Sequence, residues 1–422
     1  MSGASRQFYV ETLGCPKNQV DSDKIVGTLL RDGYVPVDEA SQADLVVVNT
    51  CAFIDEARRE SVNTILALDA ERRPGAKLVV TGCMAERYGS EISEALPEVD
   101  LVAGFGVSVV PTKKLIPVSS QPVPTMDLLN LPRPKSSLPW AYVKIAEGCD
   151  RQCGFCAIPS FRGPQRSRDI DSILEEVHAL EAREIVLVAQ DLASYGKDRP
   201  VDLGAGSIVP LVRRVAREVE RVRLLYLYPS DLSEELIETM IAIGMPYFDL
   251  SLQHVSKSLL RRMRRWGDGE RFLKRIDAIR RLAPDAAFRS NFIVGYPGET
   301  EADHDALLEF VESARLDWCG FFPYSPEEGT HAVTLDGQVD PGLARERLGE
   351  LTELQDRITA TQRDELVGRQ ISVLVDSPGE ARSHREAPEI DGIVEVPHDL
   401  APGSIVEVTV TAATGPDLIA AP

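Results

Sequence analysis

The sequence predicts an α/β protein built from an N-terminal parallel α/β sheet domain, a central open (βα)6 partial barrel and a small C-terminal antiparallel β-barrel. Three observations carry that expectation. Apolar runs alternate with helical stretches through residues 1–106 and again from Ala141. Seven prolines between 111 and 139 interrupt the alternation. Beyond residue 366 the helical pattern gives way to short alternating strands.

Phe8 to Leu13 is β-rich and ends at Gly14-Cys15, and a helix is expected from about Asp21 to Arg31. Leu45–Thr50 (LVVVNT) is a continuous apolar run, read as a strand buried on both faces and ending at Cys51. A helix over 53–71 leads to a second buried strand, Lys77–Thr81, ending at Gly82-Cys83. The proline-rich stretch reads as a linker with at most one short edge hairpin. Six strands are then expected at 141–146, 185–189, 223–228, 247–252, 287–294 and 318–323. Helices lie between them at 170–182, 208–220, 232–243, 255–265, 270–282 and 301–314. Six βα units make a barrel open on one side rather than a closed eightfold one. A long helix from about Pro341 to Glu365 precedes the strands ISVLVDS, IDGIVEV and SIVEVTVTA. The expected domains are 1–110, a linker 111–139, 140–358 and 359–422.

At 422 residues and 43% hydrophobic content the chain can bury several cores without disulfides. The first residues lack an apolar run suited to a signal peptide, so a cytoplasmic location with reduced thiols is expected for the seven cysteines. Lys and Arg number 46 against 66 Asp and Glu, a net charge of −20 that repels phosphate and attracts basic partners.

Cys149, Cys153 and Cys156 fall in EGCDRQCGFC, just after the first strand of the second β/α series. Three thiolates in one short loop point to a metal centre at the C-terminal ends of barrel strands. Zinc and cubic four-iron clusters both normally take four ligands. A zinc knuckle completed by a distant ligand, or three separate structural cysteines, are the competing readings. Cys15, Cys51 and Cys83 share no local motif, yet each closes a predicted parallel strand of one small sheet. Ligands gather at the carboxyl edge of such sheets, although buried cysteine also serves as a small hydrophobe. Cys319, beside Trp318 within the sixth strand, reads as a core residue.

With Phe155 preceding its last cysteine, the 149–156 loop resembles the signature of radical S-adenosylmethionine (SAM) enzymes. The whole chain is similar to the methylthiotransferases, a branch of that group. The phrases TLGCPKNQVDSD (12–23), KIAEGCDRQCGFCAIPSFRGPQRSR (144–168), SLQH (251–254), FIVGYPGET (292–300) and APEIDGIVEV (387–396) resemble its RimO-type members. The tRNA-modifying branch typically has glutamine at the place of Pro16, and proline then an aromatic near Pro159-Ser160. The resemblance implies a C-terminal barrel of the TRAM type and methylthiolation of an aspartate β-carbon in the twelfth small-subunit ribosomal protein. It implies two [4Fe-4S] clusters and SAM as cofactors. Cys149, Cys153 and Cys156 would hold the cluster that cleaves SAM to a deoxyadenosyl radical. Cys15, Cys51 and Cys83 would hold a second cluster that delivers methylated sulfur. The ribosomal protein, free or within the assembled subunit, an electron donor and a sulfur source are the implied partners. Leu192-Ala193 and Ser290-Asn291 depart from positions where the family often shows threonine. These departures bear on substrate-side contacts and leave both cysteine triads intact.

Residues 361–422 contain four arginines and no lysine against eleven acidic residues, a net −7. A tRNA-gripping domain needs phosphate-neutralising charge, whereas a basic ribosomal protein complements an acidic one. Methylthiolation of N6-modified adenosine in tRNA is the alternative reaction, and a non-catalytic, metal-stabilised ribosome-binding module is the alternative class. Gly295 and Gly298 sit in the turn that the resemblance places beside the adenosyl group. Gln253 and His254, ending the fourth strand, are read either as contacts to SAM or substrate or as strand caps. Arg261, Arg262, Arg264 and Arg265 form the one dense basic run, either an RNA contact or a solvated helix face. Glu147 reads as an orienter of the cysteine loop or a solvated acid.

Overall fold

In a computed structural model of the chain, residues 6–110, 127–199 and 207–422 are described. The 111–126 portion of the 111–139 linker lies outside them, and its described remainder, 127–139, contains no strand. Two compact units emerge: Met1–Lys135 with Tyr142–Asp150 and Ala157–Leu180, and Ser136–Ala141 with Arg151–Cys156 and Glu181–Pro422.

The first unit begins with β1 (Gln7–Thr12), α1 (Pro16–Arg31), β2 (Val35–Pro36), β3 (Leu45–Thr50), α2 (Asp55–Glu71), β4 (Lys77–Gly82), α3 (Cys83–Ala95) and β5 (Leu101–Ala103). Its sheet runs β2-β1-β3-β4-β5, every pairing parallel. All six residues of β3 are buried, as its uninterrupted apolar run requires of a central parallel strand. Val46, Val48 and Val80 pack on one side of the sheet; Val47, Val79 and Phe8 pack on the other. Helix α1 starts five residues earlier than the apolar pattern suggests. Pro16 occupies its first turn after an extended Cys15, a position where proline's fixed φ favours helix. The helix face over Lys17, Asn18, Asp21, Ser22 and Lys24 is polar yet buried, so hydrophobic periodicity could not reveal it.

Further on come β6 (Trp140–Lys144), β7 (Ala146–Glu147), α4 (Ile158–Arg162), β8 (Arg166–Ser167) and α5 (Ile170–Leu180). The antiparallel pair β7–β8 sets Glu147 opposite Arg166 and folds the chain back after α4.

The second unit continues with β9 (Glu184–Val188), α6 (Val209–Val215), β10 (Arg221–Leu224), α7 (Glu234–Ala242), β11 (Tyr247–Gln253), α8 (Lys257–Arg262), α9 (Gly269–Leu282), β12 (Ala287–Val294), α10 (Glu301–Ala314), β13 (Trp318–Pro323) and α11 (Pro341–Asp364). Strands β9 and β10 pair in parallel, as do β11, β12 and β13, and a parallel Leu227–Leu250 bridge joins the two groups. Strand β10 stops four residues short of expectation. The Asp249 carboxylate accepts the Tyr226 amide at 2.8 Å, and Tyr226 takes a left-handed φ of 65°.

Strands β14 (Gln370–Ser377), β15 (Glu380–Arg382), β16 (Val394–Glu395), β17 (Ile405–Thr414) and β18 (Asp417–Ala421) close a barrel in the order β14-β15-β16-β18-β17. It is not wholly antiparallel, because β16 and β18 pair in parallel. Buried charge fastens this barrel to the β/α strands. Glu184 bridges Arg223 at 2.8 Å and Arg382 at 3.1 Å, and Arg385 reaches Asp317 at 2.8 Å. Arg223 also donates to the carbonyls of Ser383 and His384. Breaking one partner of such a buried pair typically costs about 3–5 kcal/mol. No described helix is long and apolar enough to cross a membrane.

Candidate functional site

In the first unit, the chain leaves the carboxyl ends of β1, β3 and β4 at Cys15, Cys51 and Cys83. Gly14, with φ of 95°, turns the chain ahead of Cys15; a Cβ there would lie 2.8 Å from the Cys51 Cβ and 2.9 Å from its sulfur. Asn18 ties two of the corners together, donating to Leu13 O at 2.9 Å and Thr50 O at 3.1 Å. Burial first, then the neighbouring Cys15 and Cys83 thiols, pushes the Cys51 pKa up to about 12. Burial also raises Cys83 against the pull of Arg162. At Cys15 burial would act the same way, but the charges of Lys17 and Arg162 outweigh it and lower the pKa. The three chain-distant thiols therefore share one electrostatic environment.

Arg162, which motif reasoning passed over, enters this environment from α4. Its guanidinium donates to the Cys83 sulfur at 3.0 Å and to Asn18 Oδ1 at 3.0 Å. Its other amino group donates to Glu147 at 2.7 Å. Glu147 is thus no solvated acid: Lys144 holds its second oxygen at 2.8 Å, and Lys144 also pairs with Asp21. Although burial opposes ionisation, Arg162 and Lys144 hold the Glu147 carboxyl well below the usual carboxylate range. Cys149, two residues on, is buried, with its amide donating to Gly163 O at 3.1 Å.

In the second unit, Cys153 and Cys156 share a tight turn, the Cys156 amide donating to Cys153 O at 3.1 Å. Gly154 fastens that turn on both sides: its amide donates to Met263 O at 2.8 Å and its carbonyl accepts from Ala332 at 2.7 Å. Arg265 donates to the Cys153 sulfur at 3.4 Å and to Ser251 O. Its guanidinium lies 4.0 Å from the Tyr228 ring centroid, and that of Arg151 lies 3.9 Å from the same centroid. Arg151 is in turn held by Asp191 at 2.6 Å and by Asp231. The basic run is therefore not a uniform solvated face. Arg262 donates to Pro297 O and pairs with Asp336, Arg264 adopts φ of 54° outside the helix, and Arg265 turns to the thiol.

Gly295 and Gly298 both have positive φ, but protein atoms crowd them. A Cβ would meet Ala344 at 2.8 Å at the first position and the Arg262 guanidinium at 2.8 Å at the second. Gln253, with φ of 72°, follows a bulge in β11. His254 is fully buried; its Nδ1 accepts the Ser256 amide at 3.1 Å, and its Nε2 has no hydrogen-bond partner. Ser290 serves the same bulge, donating to Leu250 O at 2.7 Å. Cys319 is a free, half-buried thiol whose pKa burial raises. Among the described residues, no group of three or more His, Cys, Asp or Glu side chains closes on a point that could hold a single metal ion.

Three family models match the chain: Uncharacterized protein family UPF0004 over residues 7–104, the Radical SAM superfamily over 143–311, and the TRAM domain over 367–422. A curated relative from Moorella thermoacetica named ribosomal protein uS12 methylthiotransferase RimO is 44% identical over 95% of this chain and 96% of its own. Relatives of the same name from Myxococcus xanthus (42%, covering 98% and 91%) and Saccharopolyspora erythraea (39%, covering 99% and 96%) are similar along nearly their whole length. Among solved structures, the radical SAM methyltransferase TsrM from Kitasatospora setae matches with a TM-score of 0.50 at 15% identity, covering 84% of this chain and 89% of that one. That likeness speaks for the fold alone. The near-full-length identity, together with an α/β sheet unit, a parallel β/α unit and a closed terminal barrel in the same chain, places it in the ribosomal protein uS12 methylthiotransferase RimO family.

Proposed function

We propose that this chain methylthiolates an aspartate β-carbon of ribosomal protein uS12, using SAM and two iron–sulfur clusters. Membership of the RimO family carries the reaction class, and the Radical SAM match makes an iron–sulfur cluster and SAM its cofactors. A cluster count of two is the finer inference, resting on two separate cysteine triads. The residues suit such groups: thiolates are the soft donors that iron–sulfur centres take, and Gly14 leaves open the space beside Cys51 that a side chain would fill. Cys149, Cys153 and Cys156 would hold the cluster whose chemistry, when bound, would be one-electron reductive cleavage of SAM. Cys15, Cys51 and Cys83 would hold the other, which would serve sulfur insertion. Around these, Asp191 and Asp231 fix Arg151 within the loop, Arg265 offsets thiolate charge at Cys153, and Arg162 does so at Cys83. Gln253, Gly295 and Gly298 remain our candidates for the SAM-facing rim. The segments matching UPF0004, Radical SAM and TRAM correspond in this proposal to sulfur insertion, radical generation and substrate docking, within domains at 1–110, 140–358 and 359–422.

The terminal barrel favours a protein substrate over tRNA. Of the four arginines in residues 361–422, Arg363 is buried against Glu386, Arg382 against Glu184 and Asp376, and Arg385 is paired with Asp317 and Asp285. Arg369 alone among them is exposed. With Glu386, Asp376 and Asp391 also taken up in these and the Arg289 pairs, the surface left to a partner keeps its acidic excess with one exposed arginine, and it complements a basic ribosomal protein. The test is the intact mass of uS12 from cells with and without this gene. Loss of one methylthio increment on deletion is expected; an unchanged mass would overturn the substrate and redirect attention to tRNA nucleosides.

A further inference from the structure

We propose that Arg162 is the positioning and charge-compensating residue of the thiol site formed by Cys15, Cys51 and Cys83, and that Glu147 braces it from the segment leading into Cys149. This rests on the reading of those thiols as cluster ligands. The guanidinium is divided between two tasks. One amino group meets Glu147 at 2.7 Å and Asp21 at 3.6 Å, which would suffice for a structural ion pair. The other turns away from both acids to the Cys83 sulfur and Asn18 Oδ1, each at 3.0 Å. Through Asn18, which holds Leu13 O and Thr50 O, the same group reaches the backbone just ahead of Cys15 and Cys51. A planar fork can serve opposite partners in this way, whereas an ammonium acts as a point charge.

The surroundings keep the fork in place. The Arg162 side chain is 3% exposed, and its guanidinium lies 4.5 Å from the Phe105 ring centroid. Lys144 and Asp21, 1% and 2% exposed, complete a closed chain of alternating charge with Glu147. In so dry a setting, one positive charge against an anionic thiolate site acts strongly. Hydrogen bonds to sulfur and net local charge are among the factors that set iron–sulfur potentials. Both effects have one sign here: Arg162 raises the potential of a cluster on these thiols.

The experiment uses the full-length chain carrying Cys149→Ala, Cys153→Ala and Cys156→Ala, so that only the N-terminal thiols load. After anaerobic reconstitution with ferrous iron and sulfide, the readouts are iron and sulfide per chain, the electron paramagnetic resonance spectrum of the reduced state, and the midpoint potential. In this background Arg162→Gln is expected to move the potential to more negative values and to alter the spectrum. Because that variant strands Glu147, the double variant Arg162→Gln/Glu147→Gln is measured beside it. It is expected to recover folding and iron content, with a potential between those of Arg162→Gln and the parent, because loss of the Glu147 charge offsets part of the loss of the Arg162 charge while the hydrogen bond to Cys83 stays absent. A potential equal to the parent's in loaded Arg162→Gln, or a double variant whose potential lies at or above the parent's with an unchanged spectrum, would overturn the role of Arg162. A parent that takes up no iron would instead overturn the ligand reading, and the proposal with it.

Discussion

Cys15, Cys51 and Cys83 meet because three parallel strands end together, whereas Cys153 and Cys156 meet because one turn is too short to part them. The supporting chemistry differs in the same way. Around the first group, Arg162, Glu147, Lys144 and Asp21 form a buried ion chain drawn from α1, β6, β7 and α4. Around the second, Arg265 and Arg151 both lie against the Tyr228 ring, and backbone bonds through Gly154 fix the turn. In both, a guanidinium donates to a sulfur. What distinguishes them is whether geometry is held by long-range charge or by local backbone and an aromatic face.

The largest expected effect tests whether the two regions do different chemistry. Cys153→Ala should reduce SAM cleavage to background, read as 5′-deoxyadenosine by chromatography. Cys51→Ala should leave deoxyadenosine formation intact while methylthiolated uS12 falls to background. If Cys51→Ala also abolished cleavage, or Cys153→Ala spared it, the division of labour would be wrong.

These regions were not equally legible in the sequence. The loop at 149–156 is a local motif, so spacing alone exposes it. The N-terminal triad became visible only through topology, because LVVVNT and KLVVT are unmistakable buried strands and each ends at a cysteine. Arg162, Arg265 and Tyr228 gave no such signal. Arg265 sat inside a run of basic residues that resembles a solvated face, and Arg162 lies six residues beyond the last loop cysteine. Only the turn of α4 and the β7–β8 pair bring it back to Glu147. The start of α1 was hidden for a related reason: its buried face is built of Lys17, Asn18, Asp21 and Lys24, whose burial depends on partners far along the chain. The shortened β10 likewise depends on Asp249, a residue of the neighbouring strand.

A middle-sized effect sharpens the contrast. Arg265→Met should lower the rate of SAM cleavage by about 10–100-fold, the usual range for losing a group that orients a metal ligand. Tyr228→Leu should lower it less, since a cation–π contact contributes about 0.5–2 kcal/mol. Equal losses in the two variants, measured as single-turnover deoxyadenosine formation, would show that the aromatic face matters as much as the hydrogen bond to Cys153.

The smallest effect concerns acid. Arg162 and Lys144 keep their charge across ordinary pH, because neighbouring carboxylates outweigh the burial that would lower their pKa values. The second unit instead buries a neutral imidazole: burial first, then His304 and Arg347, lowers the His254 pKa from 6.5 to about 4, against the opposing charge of Asp303. The unfolded chain therefore takes up a proton near pH 6.5 that the folded chain refuses until about pH 4. Unfolding binds protons in that window, so stability from this residue is fully present above pH 6.5 and declines as pH falls. Between pH 7 and pH 5.5 the loss should be about 1 kcal/mol. Comparing urea denaturation of the full chain with that of His254→Gln at both pH values isolates it. The variant should lose less stability on acidification than the parent, whatever its absolute stability. Identical pH slopes would mean that His254 already carries its proton in the folded chain, and that its Nε2 has found an acceptor.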